Sequence, residues 1–552
     1  MRENRFKKYI LGIEYLPYIL VVLAVVLPWL FHSGYLFFTD LVVGPNMSVN
    51  LFQSSFAQNL LIKIFSLFHF FAFGQKVFIG LTLLIVLLGA KKLLEYFTDQ
   101  KWLVFILSLF FLFNPFVYDR VMYGQFGIPL SLGLLTWGLG FLLEFLKEKK
   151  TLQLVYVGIL WGLSIAFCLQ AMFFVGLVFL IGLICLMGGK SANRLKTILK
   201  SILIVGAMIV IFNLNWMIGS FVGKSSLNSF VSQGIGHQDL IAFQTIGEGE
   251  WGTIDNVLMM SGFWGKEQNR YVDLTKIRES WGRSFYILLL LVLLGVYVGL
   301  RDKKYRILSI SLIVLFLISV FLAVGIKVTG AREASIWLFD HFPFYHGFRE
   351  PQKWVMLIVL VYGGFLALGA KRFFKAKIVE KNKVLVSIIL GAVIVFQAPM
   401  LLWGFGGQIQ PINYPKDWQE ADRVIKLESY KVESGRCDKK ILFFPWHMYL
   451  SFPWSKTVSA NPAGVFFTCD TIVGTNMEWG GIDDNSLSPE GKLVPEWLAT
   501  GGRTDLLKNP EFNIGYIVLA KTLDWDNYNW LDNYPFVEKI QDTENLKVYH
   551  VK

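Results

Sequence analysis

Eleven apolar stretches, each long enough to cross a bilayer, run through the first 404 residues. A bilayer core of about 30 Å needs roughly 20 apolar residues per helix. The stretches are 9–31, 74–97, 101–117, 126–146, 152–168, 169–188, 199–222, 284–300, 305–326, 353–372 and 383–404. This pattern predicts a polytopic α-helical membrane protein and confines any chemistry to the loops on one face. With 54% hydrophobic residues and a mean hydropathy of +0.51, the chain is too apolar for a soluble protein of 552 residues.

Charge sets the orientation. The segment 152–188 reads either as two short helices meeting near Gln170 or as one long tilted helix. With two helices, every basic cluster falls on one side. These are the N-terminus (Arg2, Arg5, Lys7, Lys8), Lys91-Lys92, Lys147–Lys150, Lys190–Lys200, Arg301–Arg306 and the run from Lys371 to Lys383. The positive-inside rule then predicts eleven helices, N-in and C-out, in the plasma membrane. The net charge of +12 is mostly this topology signal plus attraction to anionic lipid, with no nucleic-acid partner implied. The first helix has no small-x-small cleavage site and is expected to stay as an anchor. Residues 1–404 form the transmembrane domain, with outer loops 32–73, 114–125, 223–283 and 327–352.

The tail, 405–552, is polar and rich in Asp, Asn, Trp and Tyr. Residues 416–429 have helical spacing, 440–444 and 516–520 read as buried strands, and 536–540 with 546–551 as a closing hairpin. A small extracytoplasmic α/β domain is predicted. Cys437 and Cys469 lie in it, on the disulfide-permissive side, bridged or free. Cys168 and Cys185 are expected to be intramembrane packing residues.

The outer loops carry the candidates. Asp40 is the only acidic residue between Glu14 and Glu95. A lone carboxylate beside the membrane is either functional or a turn and capping residue. Asp119 and Arg120 follow the third helix; they pair with each other, snorkel, or serve the site. Loop 223–283 holds His237 and Trp251 among Gly, Trp and acidic residues, suiting either carbohydrate stacking or a folded lid. Loop 327–352 leads into Arg349, Glu350 and Lys353, with His341 and His346 nearby. Outer cations run against the topology rule. They fit a phosphate clamp, or an interfacial anchor in which Arg349 pairs with Glu350. No Walker A, HExxH, CxxC or GxSxG pattern is present. Apart from the His341/His346 pair the histidines lack metal-ligand spacing, and Asp524–Trp525–Asp526 reads as a loop.

Together, FFTDLVVGPN (37–46), FNPFVYDRVMYGQ (113–125), NLNWM (213–217), FREPQKW (348–354) and the tail ILFFPWHMYLSFPW (441–454) with its YIVLA strand make a pattern. It resembles the GT-C superfamily of polytopic membrane glycosyltransferases, in particular a prokaryotic branch near arabinofuranosyltransferase-type and YfhO-like membrane proteins. The resemblance implies a polyprenyl-phosphate sugar donor and a glycan, lipid or protein acceptor in the cell envelope. It also implies a catalytic acidic residue in the first outer loop, which matches Asp40, and a second in the next, which matches Asp119. Arg349, Lys353 and Arg120 would hold the donor phosphate, and His237, Trp251, Glu350 and His346 would line the substrate loops. No cofactor is carried over, and a divalent metal is left open. The chemistry is coherent in its own right: inverting transfer needs one base, and cations for the departing phosphate. A non-catalytic transporter of lipid-linked glycan, or an envelope assembly factor, is the alternative. Transporters place charges at mid-helix, where this chain has almost none.

Overall fold

The computed structural model describes residues 2–53, 55–67, 71–188, 194–222, 235–274, 278–431, 433, 435–474, 476–479, 482–484, 489–502, 506–510 and 512–552. Parts of predicted loops 32–73 and 223–283 lie outside these residues.

Each predicted apolar stretch is built mainly of helix, but 101–117 is broken at residues 113–114 and 383–404 is helical only to Val395 before a bent 3-10 turn. The helices are α1 (Arg2–Leu30), α2 (Phe56–Ser66), α3 (Phe71–Leu94), α4 (Lys101–Leu112), α5 (Pro115–Tyr123), α6 (Gly127–Glu148), α7 (Thr151–Phe167), α8 (Ala171–Gly188) and α9 (Arg194–Phe221). They continue as α10 (Arg278–Arg301), α11 (Arg306–Ala323), α12 (Val355–Phe373) and α13 (Lys383–Val395). Segment 152–188 is two helices, broken at residues 168–170.

The expected eleven full spans are not all met by length. Among the described residues, six helices are long and apolar enough to cross a membrane, or eight if the two bent pairs each count as one span. Residues 14–30, 151–167 and 171–187 form shorter apolar helices. At 1.5 Å per residue, 17 residues reach only about 26 Å.

α12 is the central helix, buried from Val355 to Ala370. Small residues let helices touch backbone to backbone. A Cβ on Gly369 would collide with the Leu291 carbonyl of α10, and one on Gly89 with the Gly133 carbonyl of α6. Between α7 and α9, Asn213 Nδ2 donates to the Gly162 carbonyl at 3.0 Å.

The tail folds as predicted, around a mixed five-stranded sheet. Strand β1 (Tyr35–Leu36) pairs with β2 (Pro411–Ile412) before the domain proper. β3 (Lys440–Phe444), β4 (Tyr449–Ser451), β5 (Val458–Ala460), β6 (Thr471–Ile472), β7 (Ile514–Ala520), β8 (Val537–Asp542) and β9 (Leu546–Val551) follow. The sheet order is β8-β9-β7-β3-β6, with β3 parallel to both β7 and β6. Period-two alternation splits its residues between two cores. Ile441, Phe443, Tyr516 and Val518 face α14 (Lys416–Ser429), which buries Trp418, Ala421 and Ile425 on one stripe. Leu442, Phe444, Ile517 and Leu519 face Trp497 and Leu531 on the other side. Cys437 and Cys469 are bridged. Trp525–Asn533 is a 3-10 helix where a loop was expected.

The two predicted domains are not separate at one place. Phe37, from the first loop, belongs to the tail's core with Tyr414 and Trp454. The loop is thereby held by both parts of the chain.

Candidate active site

Asp40 sits where the two parts meet. Its loop is tied to the bundle by Gln75, whose amide exchanges bonds with the Leu36 backbone at 2.9 and 2.6 Å. The Asp40 amide donates to the Tyr123 carbonyl at 2.9 Å. Its carboxylate accepts one bond on each oxygen: Gln125 Nε2 at 2.9 Å and the Tyr449 hydroxyl at 2.9 Å. The side chain is exposed and borders a cavity of about 480 Å³. Desolvation by the surrounding protein raises its pKa to about 6. The bonds from Gln125 and Tyr449 oppose the rise, Glu350 adds to it and Arg270 opposes it.

The cavity runs from Asp40 and Gln125 towards α7, α8 and α9. Phe167, Leu169 and Met172 line it at the helix break, and Asn215 and Trp216 on α9. Its wall is mixed: the apolar side chains at the α7–α8 break stand beside Gln170, with Gln58 on α2 and Asn215 on α9.

The local fold of 113–125 explains how Gln125 reaches Asp40. Asn114 caps α5, its side chain accepting from Val117 N at 3.0 Å. Gly124 ends the helix in the left-handed region, at φ 91°. Behind this turn Arg120 is fully buried and its Nη1 and Nη2 are satisfied. Nη1 donates to Gln125 Oε1 at 2.5 Å and Glu350 Oε2 at 2.6 Å, and Nη2 to Gln352 Oε1 at 2.5 Å. The guanidinium also lies 4.2 Å from the centre of the Phe263 ring. Glu350 takes a further bond from Trp264 Nε1 at 3.1 Å and pairs with Lys353 at 3.0 Å. Burial opposes its charge, but Lys353 and Arg120 hold its carboxyl well below the usual carboxylate range. A continuous path thus joins Asp40 to the start of α12, through Gln125, Arg120 and Glu350. Residues some 300 positions apart in sequence converge here, but the expected clamp residue Arg349 is not among them.

Other expected residues are placed differently. Asp119 does not pair with Arg120; it is fully buried, 3.3 Å from Lys266 Nζ and 3.3 Å from the Tyr271 hydroxyl. Arg349 does not pair with Glu350. It pairs with Asp239 at 2.8 Å and lies over the Phe243 ring. His237 pairs with Asp340 at 2.7 Å, Trp251 is 83% exposed, and His346 packs on Phe339. None of Asp119, Arg349, His237, Trp251 and His346 lines the cavity. Lys353 Nζ is 3.5 Å from the carbonyl of Gly347, which does. Among the described residues no three His, Cys, Asp or Glu side chains are grouped to hold a metal ion.

Sequence reading missed Gln125, Tyr449 and Arg270. Arg270 lies 4.8 Å from the Tyr449 ring centre and 5.8 Å from that of Tyr123, and its buried Nη1 bonds to no described residue. It carried the same signal as Arg120, a cation in a predicted outer loop. Gln125 and Tyr449 carried none, being neutral residues whose role depends on a partner far away in sequence.

No protein-family model and no curated protein sequence matches the chain. By structure it is similar to arabinofuranosyltransferase AftD from Mycobacteria, with a TM-score of 0.61 at 12% identity over 99% of this chain and 40% of AftD. A mutant form of AftD gives a TM-score of 0.61 at 12% identity over 98% and 41%. The chain therefore spans about two-fifths of the length of AftD. At this identity the likeness is one of fold: the chain shares the fold of AftD over nearly its whole length, and among the described residues six helices are long and apolar enough to cross a membrane.

Proposed function

We propose that this chain transfers a sugar from a polyprenyl-phosphate donor to a glycan, lipid or protein acceptor on the outer face of the plasma membrane. The observation that carries the reading is Asp40. It is a carboxylate held by Gln125 and Tyr449, raised to about 6, at a cavity that runs to an apolar patch, Phe167, Leu169 and Met172, at the α7–α8 break. A base works best with a pKa near the working pH. Each Asp40 oxygen accepts one protein hydrogen bond and keeps a lone-pair site for the acceptor proton.

In the step proposed, the acceptor hydroxyl oxygen bonds to the anomeric carbon as the bond from that carbon to the phosphate oxygen breaks. The electron pair leaves with the phosphate, and the hydroxyl proton passes to Asp40. The lipid tail lies along the apolar wall formed by Phe167, Leu169 and Met172. Lys353 and Arg270 are assigned to the phosphate, because one borders the cavity wall and the other adjoins the base. Arg120 is assigned to positioning Gln125, Asp119 to a buried ion pair between α5 and Lys266, and Arg349 to its ion pair with Asp239. Eleven helices or bent pairs, N-in and C-out, put this site on the outer face.

The test is transfer by purified protein in lipid, offered a panel of polyprenyl-phosphate sugars. Asp40→Asn keeps the size of the side chain but cannot take the proton, and should lower turnover by roughly 10²-fold or more with folding intact. Full activity in Asp40→Asn would remove it as the base. Wild-type protein that transfers nothing but moves lipid-linked glycan across vesicles would replace the enzyme by the transporter.

A further inference from the structure

We infer that Tyr449, carried on the β4–β5 hairpin of the C-terminal domain, is a positioning residue for the base, so that the site is complete only where this domain grips the first loop. The inference rests on the reading of Asp40 as base. The hairpin holds the loop at the residue next to Asp40. Ala460 N donates to the Thr39 carbonyl at 2.8 Å, and Thr39 Oγ1 to the Val458 carbonyl at 3.4 Å. Thr457 Oγ1 donates to the Phe37 carbonyl at 3.3 Å. Ala460 is the register partner of Tyr449 across the hairpin. The strand pair that clasps Thr39 therefore also delivers the Tyr449 hydroxyl to Asp40 Oδ1, at 2.9 Å.

Two bonds, one to each oxygen and from opposite parts of the chain, hold the carboxylate plane. Gln125 comes from the bundle and Tyr449 from the tail. The groups facing Asp40 are these two, Arg270 over the Tyr449 ring, Glu350 behind Gln125, and Tyr123 below. Tyr449 stays a donor throughout, because burial and the Asp40 charge push its phenol well above its ordinary value. A hydrogen bond to the charged form lowers the pKa of an acid. Without it the base should titrate about one pH unit higher.

Tyr449→Phe in the full-length protein in lipid tests this, because the ring under Arg270 is kept and only the hydroxyl is lost. Two readouts are needed. The acid limb of the rate profile should move up by about one unit, with turnover recovering to within a few-fold of wild type above it. Independently of activity, the infrared C=O band of the protonated carboxyl that is missing in Asp40→Asn should titrate at a correspondingly higher pH. A band that titrates as in wild type, or a loss of rate equal at every pH, would overturn the inference. An inactive wild type whose band still shifts in Tyr449→Phe would sink the transferase reading and leave this coupling standing.

Discussion

Two charged residues at the site behave in opposite ways. Asp40 has a folded pKa raised from 3.8 to about 6, so the fold holds it best when protonated. That contribution is complete below the unfolded value and is lost as pH rises through about 6. Asp40→Asn should therefore be at least as stable as wild type at pH 8, the gap closing by pH 4. In the same window, wild-type turnover should fall as the pH drops below about 6. Thermal unfolding and rate, each measured against pH, check the pair of signs. A base that stabilised the fold when ionised would give the reverse. Arg120 is the contrary case, fully buried and paired with Glu350 at 2.6 Å. Arg120→Met leaves Glu350 buried with Lys353 as its one remaining ion-pair partner and should cost about 3 kcal/mol. Arg120→Met with Glu350→Gln should recover part of this loss, since the uncompensated charge is gone. Melting temperatures that add independently would separate the two residues.

At the scale of elements, the short helix α5 and its ends set the site. Its cap at Asn114 and its left-handed terminus at Gly124 turn the chain so that Arg120 faces the start of α12 and Gln125 faces Asp40. A Cβ on Gly124 would lie 2.7 Å from Phe38 Cβ and 2.8 Å from Leu41 N, at a φ that L residues rarely adopt. Gly124→Ala should cost roughly 1–3 kcal/mol and displace the Asp40 loop. Turnover should then fall more than donor binding, because the loop carries the base rather than the lipid wall. Equal turnover in Gly124→Ala, read together with its melting temperature, would show that the loop tolerates the shift.

At the scale of the molecule, the orientation proposed from the basic clusters is open to direct labelling. Glu544→Cys lies in the tail and Lys303→Cys in a basic turn between α10 and α11, and both positions are exposed. An impermeant thiol reagent on intact cells should label position 544 and not 303; the opposite pattern would invert the topology and move Asp40 to the cytoplasmic side. Periodicity along the chain made legible the apolar helices, the break near Gln170, and the main elements of the tail, α14, β3, β7 and the closing hairpin. These depend on periodicity and local composition, which are written along the chain. The sequence also singled out Asp40, because a lone carboxylate is conspicuous in an apolar stretch. What Asp40 touches depends on how distant segments pack. Gln125 and Tyr449 are neutral and lie 85 and 409 residues away from it. Likewise Arg120 chose Glu350 over its neighbour Asp119, and Arg349 chose Asp239 over Glu350. Adjacent residues on a helix or turn point in different directions, so charge pairing follows packing geometry rather than order in the chain.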